Sequence, residues 1–415
     1  MMKPSPGRPA HRRSEVGAVE LFFDLVYVFA IIQLSHLLLA HLTWQGVAQT
    51  VVVFAAVWWG WNYTAWAMNW LDPERTSVQL FTGVLMLAAL GMSVAIPGAF
   101  GEGAWLFVAC YLFMGVARPV FMMVAFRGQQ LAANYRMLLA WTLGAGLLWV
   151  VGASLDSEAR LLIWTMAAMV DYAAPFAQFR VPGVGAAPMH LWDTDPEHLA
   201  ERNRLVFIIA LGESILLMGS AIVAQGRLTT SLAASLLVGF ASLFVLWWNY
   251  FAVAGHHNQG GDASTSALRS AYPYAHALMV LGAIGVAVST ELRLSHGHLT
   301  TEIVLITVAA PLVYLAGNVL FLRSRFGRLA RSRFIAMVIL VLIGAAMLAI
   351  EHVPTVALSL CVLAVMGGLA ALTALNQLRH PSTAGSASPG DGSGRERAGA
   401  DQGGSPTFPN QEPSM

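Results

Sequence analysis

Twelve long apolar runs constrain this chain more than any other feature. A bilayer core is about 30 Å thick, so a helix that crosses it needs roughly 20 apolar residues. The runs lie at approximately 20–40, 47–70, 77–97, 103–125, 137–154, 159–180, 203–224, 231–254, 268–289, 302–322, 333–351 and 354–375. They are unbroken, which predicts helices; a membrane barrel would alternate over about ten residues. Only 11% of the 415 residues are charged, whereas soluble domains carry about 25%. The predicted fold is an all-α polytopic membrane protein of about twelve transmembrane helices. Two cysteines, Cys110 and Cys361, exclude a disulfide scaffold. A net charge of +1 speaks against a nucleic-acid partner.

Lysine and arginine set the orientation. With the N-terminus cytoplasmic, nineteen fall inside and three (Arg160, Arg227 and Arg293) fall outside, while Arg118 sits within a span. Both termini are therefore expected in the cytoplasm and the protein in the inner membrane of the cell. The basic start resembles a signal peptide, but Glu20 and Asp24 interrupt the apolar stretch and no A-x-A site follows. The Gly/Ser/Pro-rich tail at 379–415 reads as disordered.

Short stretches recur. Leu25-Val26-Tyr27-Val28-Phe29-Ala30 in the first run matches Leu205-Val206-Phe207-Ile208-Ile209-Ala210 in the seventh. Trp61-Asn62-Tyr63 matches Trp248-Asn249-Tyr250 at a similar offset. Two parallel six-helix halves are expected, at 20–180 and 203–378, related by an axis along the membrane normal. They are flanked by a cytoplasmic segment at 1–19 and joined by a Pro/Gly-containing linker at 181–202.

Ionisable groups inside a membrane are costly and mark sites. Glu20 and Asp24 are spaced i,i+4, on one helix face. Arg118 lies about 12 Å from the cytoplasmic end of its span on a rise of 1.5 Å per residue, so an Asp24–Arg118 pair is expected. Glu213 and Asp171 lie at similar depth; facing one another, they would share a proton or hold a cation. Arg202 is about 16 Å from Glu213 along the helix axis, too far to pair with it. Asn62, Trp66 and Asn69 share a face, as do Asn249 and His256; such groups either join helices or line a path. Tryptophans near span ends suit interfacial belts. No Walker loop, serine-hydrolase elbow, zinc-protease motif or dinucleotide fingerprint is present. No cofactor and no metal site are expected.

Two motifs carry a family resemblance. Glu20-Leu21-Phe22-Phe23-Asp24-Leu25-Val26-Tyr27, followed by Gln33-Leu34-Ser35-His36, resembles the opening motif of the bacterial low temperature requirement protein A (LtrA) family. Glu197-His198-Leu199-Ala200-Glu201-Arg202, continuing to Leu211-Gly212-Glu213-Ser214, resembles its second signature. Asn203 departs from the histidine expected there, which weakens a metal reading. The resemblance spans roughly 15–379 and implies a multi-pass bacterial membrane protein. It marks Glu20, Asp24, His198, Glu201, Arg202 and Glu213 as motif positions without assigning them chemistry.

The leading expectation is a transporter of a small solute or ion in the lipid bilayer. Glu213 carries a proton or cation, and Asp24 with Arg118 forms a cytoplasmic gate or brace. Glu20, Asn62, Asp171, Arg202 and Asn249 complete the candidate pathway. The alternatives are a cation channel, or an intramembrane lipid-modifying enzyme built on the acids and histidines at the cytoplasmic face.

Overall fold

The computed structural model describes residues 7, 15–224, 226, 229–254, 265–295, 299–327, 330–350 and 354–379. Among them run twelve α-helices. These are α1 (Ala18–Ala40), α2 (Trp44–Met68), α3 (Thr76–Ala95), α4 (Ala104–Ala125), α5 (Gln130–Ala153) and α6 (Ser157–Ala173), then α7 (Pro196–Ala224), α8 (Thr230–Ala254), α9 (Thr265–Ser295), α10 (Thr301–Phe326), α11 (Arg331–Ala349) and α12 (Thr355–Arg379). No strand forms among the described residues beyond isolated bridges such as Val181 with Gly185. The chain divides into two units, Met1–Ala374 and Leu375–Met415, and the described part of the second is the last turn of α12. His256 and the tail beyond Arg379 lie outside the described residues.

Each apolar run becomes a helix, and ten of these are long and apolar enough to cross a membrane. The two that fall short are α2 and α6. Helix α6 has 17 residues, fewer than a crossing needs. Helix α2 is long, but Gln49, Asn62 and its tryptophans dilute its hydropathy. It need not be lipid-soluble, because nearly every side chain from Val52 to Met68 is buried against protein. The same packing corrects the expectation for the tryptophans. Trp58, Trp59, Trp61, Trp66 and Trp70 are all buried; Trp59 stacks on Tyr172 at 4.2 Å, and Trp66 and Trp70 both meet Trp192. Among the described residues Trp44, Trp105, Trp247 and Trp248 are the exposed ones, as an interfacial belt requires.

Helix α1 packs on α3, α3 on α4 and α4 on α5, while α7 packs on α9, α9 on α10 and α10 on α11. Helices α1 and α7 touch each other, and both touch α9. The closest pair is α9 with α10, whose backbones meet at glycines. A Cβ on Gly282 would lie 2.6 Å from the Tyr314 amide nitrogen, and one on Gly317 would lie 2.6 Å from the Ala275 carbonyl. Small residues permit this approach where lipid offers helices no hydrophobic drive to associate.

The expected linker at 181–202 includes regular structure. Its last seven residues are the opening turns of α7, because Pro196 suits a first helical turn. The rest is packed, not slack. Trp192 is fully buried, its indole donates to Ala187, and its ring meets Trp66, Trp70, Tyr135 and Phe179. Asn134 donates to the Leu191 carbonyl and Trp70 to the Asp193 carbonyl. Gln178 and Phe179 take left-handed φ values of 55° and 49°, which turns Phe179 inward under this cap.

Candidate functional site

Helix α1 opens with Glu20 in its first turn, where the Oε2 atom accepts from the Gly17 amide at 2.8 Å. One turn on, Asp24 faces the same way. Helix α7 presents His198 and Arg202 with the same i,i+4 spacing, so the two helices mesh as parallel neighbours. Arg202 grips Asp24 in a two-pronged contact, Nε to Oδ2 at 3.0 Å and Nη2 to Oδ1 at 2.5 Å. Its Nη1 reaches Glu20 Oε1 at 2.9 Å. Trp61 of α2 donates to Asp24 Oδ1 at 2.8 Å, and its ring lies 5.8 Å from the guanidinium carbon. Planar, two-pronged contacts of this kind are among the strongest hydrogen bonds a protein makes. All four side chains (Glu20, Asp24, His198 and Arg202) are fully buried.

His198 closes the cluster. Its Nε2 lies 2.9 Å from Glu20 Oε1 and its Nδ1 lies 3.2 Å from Asn69 Nδ2. Asn69 Oδ1 accepts from the Asp195 amide at 2.7 Å, which fixes the orientation of the Asn69 amide. Its NH2 group therefore faces His198, so Nδ1 accepts and Nε2 donates to Glu20. Asn69 thereby joins α2 to the start of α7.

The expected Asp24–Arg118 pair is not formed. Asp24 is taken by Arg202, which the helical start at Pro196 brings into reach. Arg118 instead donates to the Gly60 carbonyl at 3.1 Å and the Thr64 hydroxyl at 2.7 Å, with its guanidinium over the Tyr63 ring. Among the described residues its hydrogen bonds are to α2 alone, and the missing side chain of Gly60 lets the Tyr27 hydroxyl approach, since a Cβ there would lie 3.2 Å from it.

Asp171 and Glu213 are not paired either. Asp171 Oδ2 accepts from Tyr111 at 2.8 Å and Trp149 at 3.0 Å, within the first six helices. Glu213 lies elsewhere, beside Ser35 of α1 and Glu291 of α9. It is 1% exposed, and neither carboxylate oxygen has a hydrogen-bond partner among the described residues. The Ser35 hydroxyl donates instead to the Ile31 carbonyl at 3.2 Å. Glu291 also has an oxygen without a partner, and His36 lies near it. Ser35 and Glu213 are 178 positions apart, the same separation as Glu20–His198 and Asp24–Arg202. One register therefore runs along the whole α1/α7 seam, with a saturated ion cluster at one end and an open acid about 16 Å further along, at 1.5 Å per residue.

Asn249 joins α8 to α12, donating to the Val245 and Met366 carbonyls at 3.0 and 3.1 Å. Asn62 is buried on α2, outside these contacts. Among the described residues no group of three or more His, Cys, Asp or Glu side chains could hold a metal ion.

These features define a multi-span α-helical membrane protein whose first and seventh helices are locked by a buried ion cluster. Residues 15–371 match the profile of the bacterial low temperature requirement A protein (LtrA). The chain belongs to the LtrA family, and both of its expected signature motifs lie on the α1/α7 seam. It is also similar to an uncharacterized protein of Rhizobium meliloti (strain 1021), 34% identical over 307 residues, covering 72% of this chain and 75% of that one. No solved structure matches it.

Sequence reasoning missed the Asp24–Arg202 contact and Glu291. The first had a signal: two i,i+4 polar pairs, one in each motif, at the head of α1 and α7. Glu291 had a weaker one, standing at the end of an apolar run beside Arg293.

Proposed function

We propose that this protein is a transporter of a small solute or ion in the bacterial inner membrane, with both termini cytoplasmic, and that Glu213 takes up and releases the coupled proton or cation. The observation that carries this reading is the Glu213 carboxylate, buried in α7 beside the Ser35 side chain with no hydrogen-bond partner of standard geometry among the described residues. A carboxylate in such a place is strongly penalised unless a proton or cation joins it. The acids elsewhere supply the contrast. Glu20 and Asp24 are saturated by Arg202, His198 and Trp61, and Asp171 by Tyr111 and Trp149. Those groups act as braces. Glu213 is the group left to exchange.

The matching neighbour order in α1–α3–α4–α5 and α7–α9–α10–α11 supports two related halves. Parallel halves rocking about a shared seam are a general route to alternating access. Here the seam is α1 against α7, and the Asp24–Arg202 cluster closes its cytoplasmic end. The saturation of that cluster speaks against the lipid-modifying enzyme, which needs a free acid or base at the headgroup level.

Purified protein in proteoliposomes with an imposed pH gradient tests the reading, using a pH-sensitive dye and a panel of small inorganic and organic ions. One ion class is expected to move protons with wild-type protein and not with Glu213→Gln. Unchanged flux in Glu213→Gln, or no movement of protons or of any cation across the panel, overturns it.

A further inference from the structure

At the end of α9 remote from the Asp24–Arg202 cluster, two charged residues stand two positions apart. At 100° per residue, two positions turn the helix by about 200°, so Glu291 and Arg293 point to opposite sides. Glu291 is turned toward Glu213 and His36. Arg293 is turned toward α8, α10 and α12, where it lines two adjoining cavities.

Both cavities set hydroxyls among apolar side chains, the second among Leu246, Val286, Pro311, Val362, Leu363 and Met366. The first is lined by Ser235, Thr290, Thr355 and Ser359, and the second by Ser242, Ser289, Thr307 and Ser359. No carboxylate lines either one. Arg293 donates to the Thr290 hydroxyl at 2.9 Å and reaches the Thr307 hydroxyl at 3.4 Å, and it forms no ion pair among the described residues. A guanidinium has five N–H donors, so most remain free for a ligand. Thr355 and Val356 open α12, and the first N–H groups of a helix favour negative charge. Each cavity has room for about one water-sized body, which fits a monatomic ion and is too small for a phosphate group.

We propose that the hydroxyl-lined cavities around Arg293 bind a small monovalent inorganic anion of the chloride class. A positive charge held among hydroxyls, with no acid to neutralise it among the described residues, is a binding site for an anion. Ser289, Thr290, Ser242 and Ser359 donate to carbonyls of their own helices, as does Thr290 to Val286 at 2.8 Å. Such back-bonds exchange by rotation of one hydroxyl, so these side chains turn their protons to the anion when it arrives. The site goes beyond the proton-coupling reading and does not depend on it. Glu213 and Arg293 are reached from different faces of α9.

Equilibrium binding of radiolabelled chloride to the purified full-length protein in nanodiscs tests the site. Binding is expected to be saturable, displaced by bromide and not by gluconate. Arg293→Gln is expected to weaken it by about tenfold or more, as loss of a charge-assisted contact does. Arg293→Lys, which keeps the charge but not the fork, falls between. If Arg293→Gln does not fold, Thr307→Val combined with Ser359→Ala gives the same reading by removing two hydroxyls and no charge. Three results overturn the proposal: no saturable chloride binding by folded wild-type protein, wild-type affinity in the folded variants, or displacement of chloride by phosphatidylglycerol vesicles but not by bromide.

Discussion

Arg202 of α7 and Asp24 of α1 are joined by two parallel N–H···O bonds, with both side chains sealed from solvent. The two residues lie on α1 and α7, 178 positions apart, so this contact fixes how these two helices meet. Removing one member of a buried pair leaves the other charge without compensation, at a cost of about 3–5 kcal/mol.

Arg202→Met is therefore expected to lower the thermal unfolding temperature of the detergent-purified protein sharply. Arg202→Lys is expected to recover little, because an ammonium cannot fill both Asp24 oxygens while reaching Glu20. Arg202→Met combined with Asp24→Asn and Glu20→Gln removes the stranded charges and is expected to regain part of the loss. A triple variant no more stable than Arg202→Met alone would show that the cluster does not act as a unit.

Asp171 separates bracing from exchange. Both donors meet the same oxygen, so an asparagine keeps them with its carbonyl but exchanges charge-assisted bonds for weaker neutral ones and puts an NH2 where Oδ1 stood. Asp171→Asn is expected to cost about 1–3 kcal/mol, the range for a disturbed buried hydrogen bond, read as a lower unfolding temperature. Proton flux per folded molecule is expected to stay near wild type. A lost flux with an unchanged unfolding temperature would return Asp171 to the pathway.

Gly152 sits under Trp164 at the end of α5. A Cβ there would fall 2.3 Å from Trp164 Cδ1, and the indole is held by its bond to the Trp149 carbonyl at 2.9 Å. Gly152→Ala is expected to destabilise by about 1–3 kcal/mol, as overpacking does. Gly144→Ala, with open space at its Cβ, is the control and is expected to be neutral in the same melt.

Asp156 caps α6 by accepting from the Ala159 and Glu158 amides. Those bonds, chiefly from Ala159, hold its carboxyl below the usual aspartate value. A depressed folded pKa adds stability above the unfolded value of about 3.9, and this is lost as pH falls through the folded value. The gap in unfolding temperature between wild type and Asp156→Ala is therefore expected at neutral pH and to narrow as pH drops below 4. A gap that stays constant into acid would mean the cap works without its charge.

The helices were legible because apolar length is a property of a single segment. Twelve runs gave twelve helices, and the expected boundaries erred where polar residues continue a helix beyond its apolar part, as in α5, which begins at Gln130, and α7, which begins at Pro196. That second error hid the site. With Arg202 placed in a linker, Asp24 was matched to the nearest arginine inside a span. Partner choice depends on which helices touch, and apolar periodicity does not record it. The burial of α2 was hidden for a related reason. Its tryptophans suit a membrane surface and a protein interior equally well, and only the arrangement of α1, α4, α6 and α9 around it decides which. Arg293 read as a topology marker because counting charges by loop ignores which way a side chain at a helix end turns.

The register along α1 and α7 has a consequence for synthesis. Asp24 enters the bilayer on α1, and its guanidinium follows 178 residues later. At ~5–20 residues per second, that interval is about 10–40 s. Throughout it the nascent first helix carries two acids into oil without their counter-charge, so the insertion machinery has to shelter α1 until the second half of the chain emerges to claim it.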